Sequence, residues 1–120
     1  MTRKAAIAEE QPGAGSAAPL DPRLFAELFA SLGSLLRSYT AAHGLHSKRE
    51  AAVDLTEDQI AVRHGEKWLR IIRNHEILTW TRENGSMGKS ELTASGTLRS
   101  GTHDEAMDLA AEQWAREIMQ

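Results

Sequence analysis

Apolar residues recur at spacings of three and four near the start of the chain: Phe25, Leu28, Phe29, Leu32, Leu35, Leu36 and Tyr39. That spacing puts them on one stripe of an α-helix. Asp21 offers a carboxylate to the first amides, and Pro22 suits the first helical position because its missing N–H would have no partner there. Gly44 followed by Leu45 has the pattern of a left-handed cap with its trailing hydrophobe. The spacing predicts a helix over 22–43. Near the other end, Met107, Ala110, Ala111, Trp114 and Ile118 share a helical face opposite Asp104, Asp108, Glu112 and Arg116. Thr102-His-Asp-Glu105 in front of them reads as a capping box, which predicts a second helix over 103–118.

Between these helices the period changes to two. Short apolar runs at 51–55, 60–63, 67–73, 77–82 and 92–99 are separated by Thr56-Glu-Asp-Gln59, Gly65-Glu66, Asn74-His75-Glu76 and Asn84-Gly-Ser-Met-Gly88. Short strands punctuated by turn residues are the pattern of an antiparallel meander, here of five strands. The loop lengths fix a register. Leu55 falls opposite Ile60, Val53 opposite Val62, Val62 opposite Leu69 and Ile60 opposite Ile71, with Ile71 near Leu78 and Leu69 near Trp80. One face then collects all of these, and Leu92, Ala94 and Leu98 extend it. A slip of one residue would scatter the set over both faces, so the agreement argues for one hydrophobic face. The expected fold is α+β: an N-terminal helix, a five-stranded antiparallel meander and a C-terminal helix, stacked as a two-layer sandwich with both helices on one face.

Composition narrows the class. The chain has 120 residues, room for one domain, and 41% of them are hydrophobic, enough for a core. Residues 1–20 run through Gln11-Pro-Gly-Ala-Gly-Ser-Ala-Ala-Pro19, too small and unpatterned to offset the entropy of ordering, so a disordered tail is expected there and a single domain over 21–120. No apolar run reaches the length needed to cross a bilayer. The first ten residues are too polar for a signal-peptide core, and the expected location is cytoplasmic. The net charge is −3, so no global positive field attracts nucleic acid or anionic lipid. Most of the deficit sits in 102–120, where Asp104, Glu105, Asp108, Glu112 and Glu117 face only Arg116.

The opposite parity of the strands gives Ala61, Arg63, Trp68, Arg70, Ile72, Ile77, Thr79, Thr81, Thr93, Ser95 and Thr97, a threonine-rich set suited to a solvated face. Trp68 there lies between Arg63 across the hairpin and Arg70 along the strand. Trp and Arg dominate binding hot spots, so the expected function is a non-catalytic interaction module, using Arg63, Lys67, Trp68, Arg70, Ile72, Arg73, Thr79 and Thr81 toward a protein partner or a second copy. A local cation–π pair on an idle surface is the plain alternative. A second alternative is single-stranded nucleic acid, held by Arg63, Lys67, Arg70 and Arg73 around Trp68. A third is a ligand-binding or enzymatic α+β domain, which requires a pocket between the first helix and the sheet.

Candidate chemistry is sparse. There is no cysteine, so disulfides, thiolate-bound metal and thiol catalysis are excluded. His43 and His46 are separated by Gly44, and His64, His75 and His103 fall at turns or an element start, with no helical i, i+4 pair and no HExxH. Gly88-Lys89-Ser90 ends like a phosphate loop, but Glu83 stands where its first glycine belongs, so the stretch reads as a hairpin loop. No GxSxG or SxxK occurs. No enzyme activity, metal or cofactor is expected from these residues.

Overall fold

A computed structural model of the chain describes residues 22–45 and 50–120. The expected tail over 1–20 and the Asp21 cap lie outside these residues. The order is α1 (Pro22–His43), β1 (Ala52–Leu55), β2 (Gln59–His64), β3 (Lys67–Asn74), β4 (Ile77–Arg82), β5 (Met87–Leu92), β6 (Thr97–Ser100), β7 (His103–Ala106) and α2 (Met107–Ile118). The seven strands form one antiparallel sheet in sequence order. The class is α+β as expected, with two more strands than the five predicted.

α1 has the bounds its stripe predicts, and Phe29, Leu32 and Leu36 on that stripe are fully buried. Gly44 is not a left-handed cap. Its backbone stays outside positive φ, and its N–H donates to Thr40 O and Ala41 O, so the helix ends in one more tightened turn.

The first two hairpins keep the expected register: Val53 pairs with Val62, Leu55 with Ile60, Val62 with Leu69 and Ile60 with Ile71. The third is offset by two. Ile71 pairs with Trp80, Leu69 with Arg82 and Arg73 with Leu78, because the turn consists of His75 and Glu76 alone. A shift of two residues conserves parity, so the faces survive the offset.

The expected strand over 92–99 does not exist as one piece. The chain turns at 93–96, where Thr93 Oγ1 and Thr97 Oγ1 are 2.7 Å apart and Ala94 is exposed, leaving Leu92 and Leu98 paired across the turn. Thr102-His-Asp-Glu105 is no capping box either. Gly101 takes a φ of 64°, and with Thr102 it forms a two-residue turn into β7. Asp104 then pairs across the ladder with Arg99, whose Nε donates to Asp104 Oδ1 at 2.8 Å. α2 therefore starts at Met107, four residues later than expected, and its first N–H donates to Gly96 O at 3.3 Å rather than to a side chain.

One hydrophobic cluster draws on both helices and on one set of alternating strand positions. α1 contributes Phe25, Phe29, Leu32 and Leu36, α2 contributes Met107, Ala110, Ala111, Trp114 and Ile118, and the strands contribute Ile60, Val62, Leu69, Ile71, Leu78, Leu92 and Leu98. Removing that much apolar surface from water is the main favourable term for a domain of this size. Trp80 meets Trp114 edge to face at 6.4 Å, tying β4 to α2. Among the described residues no helix is long and apolar enough to cross a membrane.

Candidate functional site

Every buried strand residue belongs to the parity that faces the helices, and none of the opposite parity is buried. The described residues thus leave the second face uncovered. Its side chains lie in rows across the strands: Ala52, Arg63 and Trp68; then Asp54, Ala61, Arg70, Thr81 and Met87; then Gln59, Ile72, Thr79 and Lys89. A fourth row holds Ile77, Glu91, Arg99 and Asp104.

The anchor of this face is Trp68. The Arg70 guanidinium lies 5.8 Å from the Trp68 ring centroid, one step along the strand on the same side. The Trp68 backbone N–H lies beyond the β3–β4 ladder, and the Glu83 carboxylate accepts it at 3.1 Å. Ile72 is 46% exposed and Met87 is 68% exposed, two large apolar side chains turned to water beside the threonines.

The structure does not keep the expected residues together. Arg63, Trp68, Arg70, Ile72, Thr79 and Thr81 share the uncovered face, whereas Lys67 and Arg73 have the parity of Leu69 and Ile71 and point to the helix side. Lys67 Nζ donates to Glu117 O and Gln120 O at the end of α2, where a cation meets the negative end of the helix dipole. Arg73 lies over the Phe29 ring at 5.8 Å, its Nη2 donates to Asp58 Oδ1 and its Nη1 to His75 O. Both cations hold elements together, and neither is available to the face with Trp68.

Met87 and Lys89 of this face escaped the sequence reading because they fall in the stretch taken as a loop. The signal was the alternation Met87, Lys89, Glu91 against Gly88, Ser90, Leu92. Glycine and serine at inward positions hid it. Gly88 sits under Trp80, where a Cβ would run into the indole, and the buried Ser90 shares a hydrogen bond with Ser100 Oγ at 3.0 Å.

Two of the hollows on the helix side are small. One of about 180 Å³ is lined by Lys67, Trp68, Arg82 and Trp114, and another of about 160 Å³ by Trp80, Ser90, Ser100 and His103. Both lie under the roughly 300 Å³ at which ligand pockets usually begin. A larger hollow of about 600 Å³ lies between the end of α1 and β1, lined by Arg37, Thr40, Gly44 and Val53, and borders residues 46–49, which are not described. Away from that hollow, fully buried Phe29, Leu32, Leu36, Ile60 and Ile71 fill the space between α1 and the sheet. Among the described residues no three of His, Asp or Glu gather into a metal-binding group.

Two carboxylates are shifted by ion pairs. The hydrogen bond from Arg99 holds Asp104 below the ordinary carboxylate range. A hydrogen bond from His43, reinforced by Arg116, does the same to Glu112. His43 Nε2 donates to Glu112 Oε2 at 2.9 Å, so this pair joins α1 to α2. Neither lies in a cleft with a nucleophile, and both are explained as structural pairs.

No protein-family model, curated protein or solved structure matches the chain.

Proposed function

We propose that the chain is a two-layer sandwich over 21–120, with both helices on one side of the sheet, and that it acts as a non-catalytic interaction module of the cytoplasm through the other side. The observation that carries this reading is the grouping of Trp68, Ile72 and Met87 on a sheet face that no described element covers. Single exposed hydrophobes are ordinary, but exposed Ile72 and Met87 within two strands of each other and of half-buried Trp68, rimmed by arginine and threonine, have the make-up of a binding patch. The partner is a protein or a second copy of this chain.

Single-stranded nucleic acid is supported less well, since Lys67 and Arg73 are turned away and only Arg63 and Arg70 remain of its four cations. Trp68→Ala tests the proposal. The variant keeps the core, so its melting temperature stays near that of the parent. It loses any dimer seen by analytical ultracentrifugation and any bound protein retained on the immobilised chain. If binding or dimerisation survives both Trp68→Ala and Ile72→Asp, the face is idle.

A further inference from the structure

We infer that the uncovered sheet face is the docking site for an acidic protein segment, one that brings carboxylates to Arg63, Arg70 and Lys89 and apolar side chains to Trp68, Ile72 and Met87. This rests on the reading of that face as an interaction surface and names its occupant. The observation behind it is where the unpaired cations lie. On the helix side and around the rim, the cations are engaged. Arg37 donates to Val53 O, Lys67 to the end of α2, and Arg73 to Asp58. Arg82 pairs with Glu117, Arg99 with Asp104, and Arg116 with Glu112. Arg23 is engaged as well. By contrast, among the described residues Arg63 and Lys89 have no hydrogen bond or ion pair, and Arg70 has only the Trp68 ring.

These three cations step across the sheet one row at a time, from β2 to β3 to β5. With strands about 4.8 Å apart and same-face residues about 6.8 Å apart along a strand, Arg63 and Arg70 are separated by about 8 Å and Arg70 and Lys89 by about 12 Å at the backbone. The apolar side chains interleave with them, so a complementary ligand alternates carboxylates with hydrophobes. Arg, Trp and Met are the residue types enriched at protein interfaces.

A nucleic acid strand fits the same face less well. There the Arg70 guanidinium already lies over the ring on which a base would stack. A second copy packed face to face also fits less well, because it brings the same three cations against Arg63, Arg70 and Lys89, with only Asp54 and Glu91 of this face to meet them.

The test is fluorescence anisotropy of the full chain against three labelled probes. They are a synthetic peptide interspersing acidic and apolar residues, its counterpart with every Glu and Asp made Gln and Asn, and an oligothymidylate of equal charge. The acidic peptide binds and is weakened by added salt. The amide counterpart binds about tenfold less tightly, as expected for three exposed ion pairs. The combined variant Arg63→Gln, Arg70→Gln, Lys89→Gln lowers affinity for the acidic peptide by a similar factor at an unchanged melting temperature. Equal binding of the two peptides, tighter binding of oligothymidylate, or no peptide binding overturns the acidic occupant. If peptide binding is charge-independent yet lost in Trp68→Ala, the interaction face stands and only its occupant is wrong. If Trp68→Ala also changes no association of any kind, the face itself is wrong.

Discussion

Trp80 shows how a single residue decides what its neighbours can be. Its indole takes the Arg82 guanidinium at 5.3 Å and meets Trp114 edge to face, while Gly88 lies beneath it on β5. A methyl group at position 88 has no room, since the contact is with a ring wedged between α2 and the sheet rather than with the free end of a flexible chain. Gly88→Ala therefore lowers stability by about 1–3 kcal/mol, the usual cost of overpacking, read as a lower denaturant midpoint. An unchanged midpoint would show that Trp80 is not held as described. The same glycine explains why β5 was illegible: it gives no hydrophobic beat at an inward position, so Met87 and Lys89 read as loop. At Lys67 and Arg73 the sequence showed the charge but not its destination. Parity already placed both with Leu69 and Ile71, yet a long cation on the core side was counted with the open face because its local charge was conspicuous.

Among the elements, α1 and the β1–β2–β3 hairpins were legible because each carries a full period: a stripe of threes and fours, then strict alternation with inflexible short turns. The segment from β5 to the start of α2 was not, because two local patterns gave way to tertiary pairing. A hydroxyl and a carboxylate at capping-box spacing became a turn and a strand once Arg99 supplied a cross-strand partner for Asp104. The helix lost its expected cap and instead uses a loop carbonyl for its first amide.

The join between the two helices gives a pH signature. The folded protein holds Glu112 below its ordinary value, through His43 first and Arg116 next. A lowered folded value means the contribution to stability is present above the unfolded carboxylate range and is lost as pH falls through the folded value. Glu112→Gln therefore melts below the parent at pH 6, and the gap closes as the pH drops past about 4. A gap that stays constant across that range would mean the carboxylate is not paired in solution.

For the whole molecule, the arrangement is asymmetric: one side of the sheet carries the core, and the other carries Arg63, Arg70 and Lys89 with no carboxylate partner among the described residues. The sheet edges contribute little to association. β1 and β7 are four residues each, β7 reads His-Asp-Glu-Ala, and Arg37 donates to the Val53 carbonyl of β1. Short, charged or covered edges resist strand addition, which is consistent with the broad face being the surface proposed for partners. Leu109 on α2 supplies an internal control, since at 59% it is more exposed than Ile72 at 46% yet belongs to a helix and not to the uncovered sheet face. A photo-reactive benzoylphenylalanine placed at position 72 or at position 109, with crosslinking inside the native host, compares the two positions directly. Adducts from position 72 that disappear with Trp68→Ala, and none from position 109, are the expected result. Adducts from position 109 alone, or equal adducts from both, would contradict a protein that acts through the sheet.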